Sequence, residues 1–133
     1  MPGTPDHDAV IDEARAWLRL AQRAGYGRAF AGPTGVLLDA DGARENAREP
    51  DVCFVRKDRL HIVTSKSIEG VPDLAVEVLS PSTRRDNLPG GAIWRDYERF
   101  GVPNYWAIDV EARVVAQYVW RDGHYGQPVM LGE

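Results

Sequence analysis

Two acidic side chains on short apolar runs carry the clearest chemistry in this chain. In residues 71–82, V-P-D-L-A-V-E-V-L-S-P-S, the run holds Asp73 and Glu77 and stops abruptly at Ser80-Pro81-Ser82. A β-strand alternates its side chains between faces, so Leu74, Val76 and Val78 point one way and Asp73, Ala75, Glu77 and Leu79 the other. Burying the first set leaves a carboxylate on the second, close to the end of the strand. Upstream, Glu49-Pro50-Asp51-Val52-Cys53-Phe54-Val55 repeats the arrangement, with Val52 and Phe54 on one face and Asp51 and Cys53 on the other. Two such strands lying side by side would gather carboxylates into a cluster suited to a hard divalent cation.

Other reactive side chains have plainer readings. Asp73 shares a face with Glu77 and is either an outer ligand or a cap at the strand start after Pro72. Asp86 orients its loop or caps the following helix. Ser80 and Ser82 lack a Gly-x-Ser-x-Gly elbow and a nearby His–Asp arrangement, so they read as turn formers. His7, His61 and His124 share no metal-ligand spacing, and His7, in the first helical turn, reads as a surface residue. Trp94, Tyr97, Tyr105 and Trp106 read as core aromatics. Cys53, the single cysteine, reads as a small buried residue; alone it supports neither a disulfide framework nor a thiolate zinc site.

The elements that must position the two acids follow from periodicity. Residues 6–24 carry Val10, Ile11, Ala14, Trp17, Leu18 and Ala21 at helical spacing, with capping chemistry at Thr4-Pro5-Asp6 and a stop at Gly25. Strands are predicted over 26–31 and 35–39, separated by a Gly32-Pro33 turn, and over 51–56, 60–64 and 73–79. Residues 39–48 and 80–91 read as loops. Ile93, Trp94, Tyr97 and Phe100 form the stripe of a second helix over 92–100, closed by Gly101. The last strands are predicted over 104–110 and 113–120. Trp17, Leu18, Val76, Val78, Tyr97, Trp106 and Ile108 are the predicted core.

At 133 residues, with 44% apolar and 27% charged side chains, the chain suits one globular domain with a mixed sheet and flanking helices. No apolar run approaches the roughly 20 residues that span a bilayer, and the start shows no signal-peptide pattern, so a cytoplasmic protein without a membrane partner is expected. The net charge of −4 is not the basic footprint of a strong nucleic-acid binder. Arg84, Arg85, Arg95 and Arg99 are the local exceptions, and a solvated face explains them as readily as a binding patch.

With these residues in hand, the chain resembles the Uma-type family of restriction-endonuclease-like proteins in the PD-(D/E)XK nuclease superfamily. The resemblance runs through Pro50-Asp51, residues 72–82 (P-D-L-A-V-E-V-L-S-P-S), Arg85-Asp86, Tyr97, and residues 101–109 (G-V-P-N-Y-W-A-I-D). It implies a restriction-endonuclease-like α/β fold, here one domain over 1–133 without the family's N-terminal segment. It further implies that Asp51 and Glu77 are the catalytic and metal-ligating residues, holding Mg²⁺ or Mn²⁺ together with the backbone carbonyl of residue 78. Asp73, Asp86 and Arg85 are secondary candidates, and in the family's arrangement His7 could approach the site.

The implied activity is metal-dependent hydrolysis of DNA phosphodiesters. The superfamily places a Lys two residues after the second acid, where this chain has Leu79. Uma-like members often place it four residues before the helical Tyr, where this chain has Ile93. Arg95 is about 200° around the helix from that position and is a poor geometric substitute. Activity is therefore expected to be weak or absent. The alternative is a catalytically silent nuclease-fold domain that binds nucleic acid or a protein. A homodimer is expected through strand edges at 60–64 or 113–120.

Overall fold

The computed structural model describes residues 5–32, 34–39 and 47–132. Thr4 of the expected cap, Pro33 of the expected turn and residues 40–46 of the expected loop lie outside them. Helix α1 (Pro5–Arg23) carries Asp6 and Asp8 in its first turn, where carboxylates interact favourably with the helix dipole. It is followed by strands β1 (Gly27–Ala31), β2 (Val36–Leu37), β3 (Ala47–Arg48) and β4 (Val52–Arg56). A 3-10 helix (Lys57–Ile62) leads to β5 (Ile68–Glu69) and β6 (Leu74–Val78). One helical turn, α2 (Arg84–Asn87), precedes α3 (Ala92–Phe100), and then come β7 (Asn104–Asp109), β8 (Val114–Arg121), β9 (His124–Tyr125) and β10 (Val129–Gly132).

The main sheet runs β1-β4-β6-β7-β8-β10, with β9 also beside β8. Only β6 and β7 pair in parallel; the other neighbours are antiparallel. The parallel pair requires a crossover, and α3 lies on it. A second, small sheet joins β3, β2 and β5. This is the restriction-endonuclease-like mixed sheet flanked by helices that the sequence implies.

Each face of β4 and β6 has its own core. On one, Val52, Phe54, Leu74 and Val76 meet Ile11, Ala14, Leu18 and Ala21 of α1. On the other, Cys53, Val55, Ala75 and Leu79 join Tyr97 of α3 and the buried tyrosines Tyr105, Tyr118 and Tyr125. Strand β6 is consequently buried along its whole length. Gly101 closes α3 with φ 73°, a left-handed conformation that glycine adopts without a Cβ clash.

Several expectations need correction. Residues 60–64 are no strand: Leu60, His61 and Ile62 complete the 3-10 helix, and Val63 makes only an isolated bridge to Ile68. The expected loop over 80–91 contains α2. The expected loop over 39–48 ends in β3, and β5, β9 and β10 were not foreseen. Trp17 is 66% exposed, not core, because α1 lies over the β1–β4–β6 side and leaves Trp17 at the margin. Leu18, Trp106 and Ile108 are half-buried, whereas Val76, Val78 and Tyr97 are fully buried. Neither proposed dimer edge is free, since 60–64 is no strand and β8 lies between β7 and β10. Among the described residues, the main sheet ends at β1 and β10. Among the described residues, no helix is long and apolar enough to cross a membrane.

Candidate active site

The antiparallel register of β4 and β6 sets Val52 opposite Val76 and Cys53 opposite Ala75. Continued by one step, it sets Asp51 opposite Glu77, and directly opposed side chains in such a pair stand about 5 Å apart at Cβ. The Asp51 side chain is drawn inward because its Oδ2 accepts a hydrogen bond from the Val78 amide at 2.7 Å. Glu77 Oε2 accepts one from the Tyr97 hydroxyl, also at 2.7 Å. The Asp51 amide favours the charged form of the Glu77 carboxyl, and the charge of Asp51 disfavours it. One short stretch of two strands thus brings both acids to a single place at the C-terminal end of β6.

Burial and mutual repulsion govern their ionisation. Glu77 is 7% exposed. Its pKa is pushed up from 4.5 to about 8, first by burial and then by the charge of Asp51, against the lowering effects of Tyr97, the Asp51 amide and Arg48. Burial also raises Asp51, partly offset by the Val78 amide and by His7. Without a cation, Glu77 keeps its proton near neutral pH, since burial and the charge of Asp51 both disfavour its ionised form. Tyr97 is held far above the usual phenol range by burial and by Glu77, so it acts as a donor. The Cys53 thiol is pushed up to about 12 by burial and by Glu77, which makes it an inert packing residue.

The surrounding loops are tied down from both sides. Ser80 starts a turn, as its side chain indicates: its hydroxyl lies 2.8 Å from that of Thr83, and its carbonyl accepts from the Arg84 amide at 2.8 Å. Asn87 Nδ2 donates to the Thr83 carbonyl, and Tyr105 donates its hydroxyl to the Asn87 carbonyl at 2.6 Å. Gly91 caps α3 so close to the carbonyls of Arg85 and Asp86 that no Cβ fits there. These contacts hold the 80–91 segment over the end of β6.

The secondary candidates lie elsewhere. Asp73, at the opposite end of β6, accepts from the Arg56 amide at 2.7 Å and pairs with Arg59 at 3.0 Å. The strand-start cap is therefore its structural role. Arg85 and Asp86 are exposed on α2. Arg84 is occupied with Asp109, at 2.5 Å. Leu79 and Ile93, where the family lysine would stand, both pack into the core beside Tyr97.

Two more side chains border the site, of which only Arg48 was not foreseen. His7, read as a surface residue, is half-buried, with Nε2 2.8 Å from the Val78 carbonyl, and its charge acts on Asp51. Arg48 pairs with Asp96 of α3, and its field reaches Glu77. The cue for Arg48 was its place three residues before Asp51; nothing local in the sequence marked it further.

The chain matches known proteins in family and in fold. The family model Uma2, described as "Putative restriction endonuclease", matches residues 1–133. The chain belongs to the Uma2 family. A solved structure from Anabaena variabilis, described as a "putative nuclease belonging to DUF820", superposes with a TM-score of 0.71 at 18% identity. The match covers 100% of this chain and 70% of that one, so this Uma2 member shares its fold. No curated protein matches the sequence.

The donor chemistry of the site fits the cation that the family implies. Among the described residues there is no cluster of three or more His, Cys, Asp or Glu side chains able to hold a metal. The donors this chain could offer such a cation would be the two carboxyls and the Val78 carbonyl, whose oxygen has a second lone pair besides the one facing His7. Two crowded carboxyls of like charge, one of them forced to keep a proton, are relieved by a hard dication with oxygen preference.

Proposed function

We propose that this chain hydrolyses DNA phosphodiester bonds with a divalent cation, Mg²⁺ or Mn²⁺, held by Asp51 and Glu77. The observation that carries the reading is the meeting of these two desolvated carboxyls across β4 and β6, at the end of the strand pair that also presents the Val78 carbonyl. Such a cation, when bound, polarises a phosphate and lowers the pKa of a bound water. The residues of the chain do the positioning. Tyr97 holds Glu77, the Val78 amide holds Asp51, and His7 holds the Val78 carbonyl. A reducing cytoplasm suits the free, buried Cys53. A cut through both DNA strands is served by two copies, and the open edge of β10, where Val129, Met130 and Leu131 are exposed, is the proposed pairing surface.

The rival reading, a silent nuclease-fold domain that binds nucleic acid or a protein, draws its support from one observation: Leu79 and Ile93 occupy both lysine positions. A nuclease assay on single- and double-stranded DNA with Mg²⁺ and with Mn²⁺ separates the two. Cleavage that depends on metal and is lost in Asp51→Ala and Glu77→Ala supports the enzyme. DNA binding without any cleavage under either metal supports the rival.

A further inference from the structure

We propose that Arg48 supplies, from β3, the positive charge that the absent motif lysine supplies elsewhere, and that it contacts the phosphate group bound at Asp51 and Glu77. This inference rests on the nuclease reading above. Arg48 ends β3 opposite Val36 of β2, three residues before Asp51 in the chain. It reaches α3 and pairs with Asp96. The next residue of that helix is Tyr97, whose hydroxyl holds Glu77. A single turn of α3 therefore fixes both the cation and the acid.

The charge is not cancelled by its partner. Asp96 gives one carboxylate oxygen to Arg48 and the other to Arg99, at 3.4 Å, so one anion is shared between two guanidinium groups. The Nε of Arg48 is buried without a hydrogen-bond partner among the described residues. Buried donors are almost always paired, and this one belongs to a guanidinium whose charge acts on Glu77, so a phosphate held at that acid would complete it. Other cations are committed or turned to solvent: Arg84 holds Asp109, Arg59 holds Asp73, and Arg85 and Arg95 are exposed. A guanidinium stays charged at any working pH and matches two phosphate oxygens at once, so it serves in the lysine's place with a different geometry but the same sign.

The experiment compares wild type, Arg48→Gln, Arg48→Lys and Asp96→Asn, each first checked for its melting temperature. Duplex DNA binding is measured in Ca²⁺ against salt, and cleavage in Mn²⁺. Arg48→Gln is expected to reduce the slope of log K against log salt by about 1. It is also expected to slow cleavage about 10²- to 10³-fold. Arg48→Lys should restore the slope and part of the rate, and Asp96→Asn, which leaves the charge in place, should keep the slope. If Arg48→Gln does not fold, the Nε–H resonance of Arg48 in wild type is followed during DNA addition, and it is expected to shift. An unmoved resonance, or an Arg48→Gln protein with wild-type slope and rate while Glu77→Ala is dead, overturns the role of Arg48 and leaves the nuclease standing. Absent cleavage by wild type overturns the nuclease reading instead, and the salt slope then still decides whether Arg48 meets phosphate.

Discussion

The two ends of strand β6 present an acid each, and the fold satisfies them in opposite ways. Asp73, just before the strand, receives the Arg56 amide and the guanidinium of Arg59. Glu77, four residues on, is more deeply buried and faces a second carboxyl instead of a cation in direct contact. At roughly 3.3 Å per residue the two lie about 13 Å apart, too far to share a ligand. A carboxylate with its counter-charge built in stabilises the fold. One whose nearest partner has the same sign leaves free energy to be released by a ligand, and that difference marks the site.

The largest test of this contrast is catalytic. Asp51→Ala and Glu77→Ala are expected to reduce Mn²⁺-dependent DNA cleavage by more than about 10³-fold, the scale of several kcal/mol of transition-state charge stabilisation. Asp73→Asn should cleave at close to the wild-type rate. Equal losses at both ends of the strand, measured as kcat/KM, would erase the distinction.

Next in size is the effect of metal on stability. A cation that binds only the folded protein adds about 2.7 kcal/mol at a concentration 100 times its Kd. Thermal unfolding with increasing Mn²⁺ is therefore expected to show a rising Tm in wild type and none in Glu77→Ala. Because Glu77 holds its proton until about pH 8, binding near neutral pH should also release a proton. Calorimetry in buffers of different ionisation enthalpy would read that release directly, and a heat independent of the buffer would contradict it.

The pH dependence sharpens the same point without metal. Glu77 has its pKa raised on folding, from 4.5 to about 8, so the folded state binds its proton more tightly. Its contribution is fully present below about 4.5 and is lost as pH rises through about 8. Urea unfolding without metal should therefore show wild type losing stability relative to Glu77→Gln across that window. Parallel curves for the two proteins would mean that neither burial nor the neighbouring carboxyl raises the pKa of Glu77.

The smallest expected effect lies at the other end of β6. Asp73→Asn weakens a half-exposed ion pair with Arg59 while keeping an acceptor for the Arg56 amide, and should cost about 1 kcal/mol or less. Metal should leave that difference unchanged. A metal-dependent difference would bring Asp73 into the site after all.

Strong local patterns were legible in the residues themselves. The i, i+3, i+4 stripe of Ile11, Ala14, Leu18 and Ala21 gave α1, that of Ile93, Trp94, Tyr97 and Phe100 gave α3, and alternation gave β4, β6, β7 and β8. Alternation also put Asp51 and Glu77 on the correct faces, because a side-chain period of two leaves no freedom once the apolar set is buried. The short elements were not legible. His61, Ile62 and Val63 read as a strand, but the chain turns there in a 3-10 helix and only Val63 finds a bridge. Strands β9 and β10 exist because the length of β8 offers both of them an edge, a property of β8 and not of their own residues.

What the sequence by itself determined is the identity of the acids, their faces and the family to which they belong, since each follows from neighbours within a strand. What only the tertiary structure decided is everything that charges or holds them. Trp17 turned out exposed because α1 covers only part of a face. His7 reached the Val78 carbonyl and Arg48 reached Asp96 because helices from distant parts of the chain pack on opposite sides of one strand pair. The pKa of Glu77 depends on desolvation by residues from β4, β7 and α3 together. Burial and Coulomb energy depend on distance in space, and no spacing along the chain contains that distance.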